Sequence, residues 1–269
     1  MPGIDITDAV RYADLRCNEV ISAWNQSYMV GYSNTTDQLS SPKGLFLNRK
    51  SREVTEQKLE HCCFIEGKNL NLSNVVYQDN SCALNYYCIN NPREAGANGI
   101  RMAYGNKRFF IASGELTGCG FAVLVKENDL YIIHAGAATA TTDTAAIRRG
   151  YINRDIYCMA RRLSDSKFDT RSVEGAISCN ELYSSLKDEG FYGFLILQGD
   201  QTALSTETQI WTFQYYSGKK NGTNTNRMAD VICALNEQGE MMISQRILEQ
   251  DFTGIKEVAG GQLQVALFL

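Results

Sequence analysis

Cys119 and His134 are spaced so that sheet geometry can bring their side chains together. Cys119 stands at the mouth of a strand predicted over Gly120 to Val125. His134 lies near the end of the next, predicted over Leu130 to Ala135, with Glu127-Asn128-Asp129 as the turn between apolar runs. If the loop is the four residues Lys126 to Asp129, Val125 pairs with Leu130 and Phe121 with His134. Cys119 then shares a face with His134 one diagonal step away, roughly 7–8 Å between backbone positions, a gap that rotated side chains or a bulge can close. An odd-numbered loop without a bulge would put them on opposite faces.

A thiol beside an imidazole is a nucleophile with its base. The thiolate is the reactive form, and an adjacent histidine lowers the thiol pKa to produce it. Gly118 and Gly120 flank the cysteine. They allow a carbonyl group to approach the backbone closely and leave amide N–H groups to hold a developing oxyanion. The competing reading is a buried structural cysteine next to a satisfied core histidine.

Leu116-Thr117-Gly118-Cys119, with His134 on the following strand, resembles the Leu-Ser-Gly-Cys motif and histidine of the cytotoxic-necrotizing-factor-type glutamine deamidases. The cysteine-to-histidine separation is similar as well. Two positions differ. Thr117 replaces the motif's serine, and Gly120 stands where a small hydroxyl residue is expected. The chain's modest length looks most like the stand-alone toxins of this group, the Burkholderia lethal-factor type. There a threonine matching Ser113 completes a triad with the cysteine and histidine. The resemblance implies a β-sandwich core and Cys119, His134 and Ser113 as catalytic residues. Thr117, Gly118 and Gly120 would then form the oxyanion and substrate-binding edge. It also implies a protein substrate inside a target cell, a small Rho-type GTPase or a translation-initiation RNA helicase. Whether Ser113 would act through its hydroxyl or its backbone carbonyl stays open.

The rest of the chain must position these residues. Its 269 residues suffice for one large domain or two small ones, and no linker, repeat or composition shift divides it, so a single domain over 1–269 is expected. Hydrophobic content of 44% and charged content of 21% are ordinary for a soluble globular protein. A net charge of −4 argues against nucleic-acid binding. No apolar stretch reaches membrane-spanning length, and no basic, apolar leader opens the chain. Nine cysteines, odd in number and irregularly spaced, fit a reducing compartment. For a toxin of the kind the resemblance implies, that compartment is a target cell's cytosol, so a delivered effector is expected, and with it a monomer. His61-Cys62-Cys63 is the one cluster of metal-ligand types, but no C-x-x-C occurs, so neither metal nor cofactor is expected.

Ile6 to Trp24 reads as an opening helix with one apolar stripe. Ser33 to Ser41 reads as a loop, Ser51 to Glu60 as a weaker helix, and Val75 to Gln78 and Ala83 to Ile89 as strands. Arg93 to Gly99 reads as a loop and Lys107 to Ser113 as the first of three strands around the cysteine. The small residues Ala135 to Ala140 either line a narrow entrance or pack backbone against backbone. Thr144 to Arg162 is helical with a basic, solvated face. Ser178-Cys179-Asn180-Glu181 is a capping box and Gly190 a stop, giving a helix from Cys179 to Glu189. Strands follow over Phe191 to Leu197, Gln209 to Tyr216, Ala229 to Leu235, Met241 to Ile247 and Gln262 to Phe268, with Gly218 to Asn226 as a polar loop. The class is α+β: a mixed sheet sandwich flanked by helices.

The expected activity is conversion of a target glutamine to glutamate through a thioester, with transglutamination if an amine replaces water. A cysteine protease or acyltransferase would use the same dyad. A non-enzymatic β-rich binding module would leave Cys119 unreactive.

Overall fold

Strand alternation sorts the apolar side chains of this chain onto two sheets. The structure is a computed structural model describing residues 29–32, 43–58, 62–65, 85–88, 92, 94–103, 109–113, 116–136, 144–199, 203–205, 209–216, 218–219, 226–235, 241–251, 254–257 and 263–267. In chain order the strands are β1 Met29–Tyr32, β2 Lys43–Asn48, β3 Val54–Lys58, β4 Cys62–Ile65, β5 Asn85–Cys88, β6 Gly96–Ala103, β7 Phe109–Ala112, β8 Gly120–Lys126 and β9 Asp129–Gly136. Two helices follow, α1 Ala145–Ser164 and α2 Cys179–Asp188. The remaining strands are β10 Tyr192–Gly199, β11 Ala203–Ser205, β12 Ile210–Tyr216, β13 Gly218–Lys219, β14 Asn226–Leu235, β15 Met241–Asp251, β16 Gly254–Glu257 and β17 Leu263–Leu267.

Among the described residues the first sheet has eight strands in the order β11-β12-β10-β8-β9-β6-β2-β3. The second has seven: β16-β15-β14-β7-β5, with β13 on β14 and β17 on β15. Pairs β10–β12 and β5–β7 are parallel, so both sheets are mixed. The short strands β1 and β4 pair separately. The fold class is therefore α+β, as the sequence predicts.

Odd and even positions of β8 divide the core. Phe121, Val123 and Val125 face the second sheet and meet Ile111, Leu116 and Ala229. Ala122 and Leu124 face the other way, onto Ile152, Ile156 and Leu182 of the helices. Helices, first sheet and second sheet thus form three layers. Phe121 is fully buried, and a side chain of that kind stabilises by roughly 1.5–3 kcal/mol. Helix α2 carries the predicted capping box, with Glu181 N–H donating to Ser178 Oγ at 3.1 Å and Ser178 N–H to Glu181 Oε2 at 2.6 Å. Gly190 ends it at φ +80°.

Several expectations need correction. Val54–Lys58 of the weak helix expected over Ser51 to Glu60 is instead the strand β3, which pairs with β2 and, among the described residues, ends the first sheet. Its exposed Thr55 and Glu56 give it no apolar stripe to bury as a helix. The loop over Arg93 to Gly99 is largely strand β6. Its glycines let other chain segments come close: a Cβ on Gly96 would lie 1.8 Å from Leu47 O, and one on Gly99 2.5 Å from Met159 Cγ. The expected strand over Lys107 to Ser113 is present as Phe109–Ala112, and it lies in the second sheet between β14 and β5. The basic face of α1 is only partly solvated. Arg154 is 6% exposed beside the fully buried Asp155, and Arg161 pairs with Glu189. In the loop over Gly218 to Asn226, Gly218–Lys219 and Asn226 are strand residues. The helix over Ile6 to Trp24, the loop over Ser33 to Ser41, His61, the strand over Val75 to Gln78 and residues 137–140 lie outside the described residues.

Candidate active site

The register of β8 on β9 places Phe121 opposite His134 and Val125 opposite Leu130, the pairing read from the sequence. The hairpin closes through Glu127 and Asn128, with Lys126 opposite Asp129 and Glu127 at φ 57°. Cys119 precedes β8 and packs with Phe121 and Val123 in the layer between the sheets. His134 is on that side as well, since its ring meets Phe121 edge to face at 5.7 Å between centroids. Cysteine and histidine are thus one diagonal step apart, and both are buried, at 4% and 1% exposure. Cys119 carries a thiol, not a disulfide.

The segment bearing Cys119 crosses from one sheet to the other. Ile111 of β7 faces the intersheet layer, and alternation puts Ser113 on the same side, where it is buried. Leu116 then exchanges two backbone hydrogen bonds with Ala229 of β14, at 2.9 and 3.0 Å. Three residues later the chain enters the first sheet. Cys119, His134 and Ser113 therefore share one buried layer although they come from different sheets. Thr117 is exposed and Gly118 half-buried, so the segment just before the buried Cys119 forms a rim at the surface. Gly118 has φ +149°, a conformation that favours glycine.

Tyr215 of β12 holds this rim, and sequence reasoning missed it. Its hydroxyl accepts from Gly118 N–H at 3.1 Å and donates to Cys119 C=O at 2.7 Å. Burial holds its phenol well above the ordinary value near 10, and the Cys119 sulfur nearby adds to that rise. In this geometry the Gly118 N–H is committed to Tyr215 and is not open to an oxyanion. The available signal was the alternation of Phe213 and Tyr215, which turns a phenol inward, where it needs a partner.

Asn98 was missed because its segment read as a loop. It lies directly opposite His134 on β6 and is 5% exposed. His134 thus has Phe121 on one neighbouring strand and a buried carboxamide on the other, at the short spacing of opposed residues.

Gly120 serves packing. A Cβ there would sit 2.7 Å from Ile152 Cγ2 and 2.8 Å from Ile156 Cδ1 of α1. That explains why no hydroxyl residue follows the cysteine. Past His134, Arg49 donates to Gly136 O at 2.7 Å and to Asp155 at 2.6 Å, tying the end of β9 to α1. No group of His, Cys, Asp and Glu among the described residues is arranged to hold a metal ion. No described helix is long and apolar enough to cross a membrane.

The sequence matches no protein-family model and no curated protein. In structure the chain is similar to the C-terminal domain of CNFy from Yersinia pseudotuberculosis, with TM-score 0.61 and 16% identity over 94% of this chain and 96% of that one. At that identity the likeness establishes a shared fold.

Proposed function

We propose that this chain is a protein-glutamine deamidase, a toxin or effector domain acting inside a target cell. The observation that carries the reading is the β8–β9 register, which puts His134 opposite Phe121, one diagonal step from buried Cys119 at the entry of β8. The motif around Cys119 resembles that of the cytotoxic-necrotizing-factor-type deamidases, and the fold likeness to the CNFy domain supports the same reading.

In the proposed reaction His134 takes the thiol proton and the Cys119 sulfur attacks the carboxamide carbon of a target glutamine. The backbone N–H of Cys119 or of Gly120 holds the oxyanion, the Gly118 N–H being taken by Tyr215. His134 gives its proton to the leaving nitrogen, and ammonia departs as the thioester forms. Water, deprotonated by His134, adds to the thioester, and its collapse releases glutamate and the thiol. Ser113 orients the imidazole through its hydroxyl or its backbone carbonyl. Residues 1–269 act as one catalytic unit, in the manner of the lethal-factor-type toxins. A Rho-type GTPase or a translation-initiation RNA helicase is the target class the motif resemblance favours.

The test is incubation with target-cell lysate and a search of tryptic peptides for glutamine-to-glutamate conversion. Conversion by the native chain, and none by Cys119→Ser or His134→Ala at unchanged circular dichroism, is the expected result. Cleaved substrate in place of converted glutamine assigns a protease. A Cys119 inert to thiol alkylators together with no conversion assigns a binding module.

A further inference from the structure

Just past His134 the chain is pinned at a point that the catalytic reading does not use. Gly136 closes β9, and its carbonyl accepts from Arg49 Nη2 at 2.7 Å. Arg49 Nε donates to Asp155 Oδ2 at 2.6 Å, and Asp155 is fully buried on α1. The main chain of Arg49 is held as well: its N–H donates to Ala95 O at 2.8 Å, at the start of β6. Arg49 thus joins the β2–β3 turn, the start of β6, the end of β9 and the helix.

The place matters because of what lies beside it. Asn48, Gly96 and Gly136 stand in one row across β2, β6 and β9. The next row on the same face is Phe46, Asn98, His134 and Phe121. Such rows lie two residues apart, roughly 6.5–7 Å. Chain ends and ladder ends are where local opening begins. A charge-assisted hydrogen bond to the last carbonyl of β9 closes that end. Its route to His134 is the strand backbone.

The turn is built to present this arginine. Asn48 Oδ1 accepts from the N–H groups of Lys50 and Ser51 at 2.9 and 3.0 Å. Asp155 has two further cations, Arg154 at 3.3 Å and Arg52 at 3.8 Å. Charge balance is therefore met without Arg49. What Arg49 adds is a planar fork that spans a carboxylate and a carbonyl at once.

We propose that Arg49 is a positioning residue for the reaction: it fixes the end of β9 and, through the strand, the setting of His134 against Cys119. The inference rests on the Cys119–His134 reading of the site, and its test separates the two.

His61 and His134 are the two histidines of the chain, so NMR of the full chain with labelled histidine follows both rings, and His134→Ala assigns them. Arg49→Lys keeps the charge beside Asp155 and loses the fork; Arg49→Gln loses both. Arg52→Lys is the control. It disturbs the same cluster, where Arg52 donates to Thr170 O and Val173 O, and leaves the Gly136 bond in place. For each variant with native circular dichroism, the His134 ring signals, Cys119 alkylation by iodoacetamide and glutamine conversion in target-cell lysate are read.

Both Arg49 variants should shift or split the His134 signals and slow alkylation and conversion about ten-fold, the weight of one charge-assisted hydrogen bond. Arg52→Lys should leave all three at native values, even where its Tm falls as far. Native His134 signals and native alkylation in the Arg49 variants overturn the proposal and leave a structural ion pair. An equal response in Arg52→Lys overturns it too. Shifted signals and slowed alkylation in a chain whose native form converts no glutamine uphold the positioning role and overturn the deamidase. Hydrogen exchange needs no variant: in the native chain the amides of Ile133 to Gly136 should exchange as slowly as those of Leu130 to Ile132. Exchange more than about ten-fold faster at the strand end overturns the clamp.

Discussion

Tyr215→Phe tests whether the hydroxyl of a buried tyrosine holds the nucleophile's backbone in place. The change keeps the ring in the intersheet core and deletes one oxygen with two hydrogen bonds, 3.1 Å from Gly118 N and 2.7 Å to Cys119 O. The Cys119 carbonyl lies in buried surroundings, and orphaning such a group costs about 1–3 kcal/mol. Gly118 is half-exposed, so water can take its N–H at little further cost. A total of about 2–3 kcal/mol, at roughly 2 °C per kcal/mol for a chain of this size, lowers Tm by about 4–6 °C. Release of the rim also lets the thiol wander, and misplacement by about 1 Å can cost on the order of a hundred-fold in rate. Thermal unfolding by circular dichroism reads the first effect. The rate of Cys119 alkylation and the turnover of a deamidated substrate read the second. A variant melting within about 1 °C of the native chain, with unchanged Cys119 alkylation, would refute the clamp.

Ser113→Ala should lower kcat about ten- to hundred-fold, less than Cys119→Ser, and an unchanged kcat would move the orienting role to the Ser113 backbone carbonyl. Asp155→Asn should destabilise by about 3–5 kcal/mol, seen as a lowered denaturation midpoint, because Arg49, Arg154 and Arg52 would be left crowded without their buried counter-charge. Gly120→Ala should cost about 1–3 kcal/mol by forcing Ile152 and Ile156 aside, and a neutral result in chemical denaturation would show that α1 can shift freely over the sheet. The Ser178 N–H bond holds the Glu181 carboxyl below its ordinary value. Its stabilising effect is therefore present above the unfolded pKa and lost as pH falls through the folded one. The Tm gap between native chain and Glu181→Gln should close on acidification below about pH 4; a gap constant down to pH 2 would rule the capping carboxylate out.

Local pattern carried most of what was legible. The register of the hairpin from Gly120 to Gly136 could be read because alternation leaves one pairing that buries Phe121, Val123 and Val125 together, although the expected four-residue loop is a two-residue turn, with Lys126 and Asp129 paired. The box at Ser178 and the stop at Gly190 were legible because a cap is set by residues three apart. The partition of strands between two sheets was not. Phe109–Ala112 looks like a neighbour of Gly120–Lys126 in sequence, yet its partners are β5 and, more than a hundred residues on, β14. No local spacing encodes that choice, and the apolar face of β7 would suit either sheet. The glycines of β6 misled for a related reason: they mark close approach of Leu47 and Met159, which only the tertiary fold brings near.

The same distinction explains why the candidate site was half visible. Cys119 stands at the entry of one strand of the hairpin and His134 on the other, so their relation is a matter of counting. Asn98 and Tyr215 reach the site through the order β12-β10-β8-β9-β6, which sets Asn98 beside His134 and brings β12 within reach of Gly118 across β10. A nucleophile can thus be found from a motif, whereas the groups that fix its backbone and flank its histidine come from sheet order. Variation at Tyr215 or Asn98 should therefore alter how well Cys119 is placed while leaving the motif itself untouched.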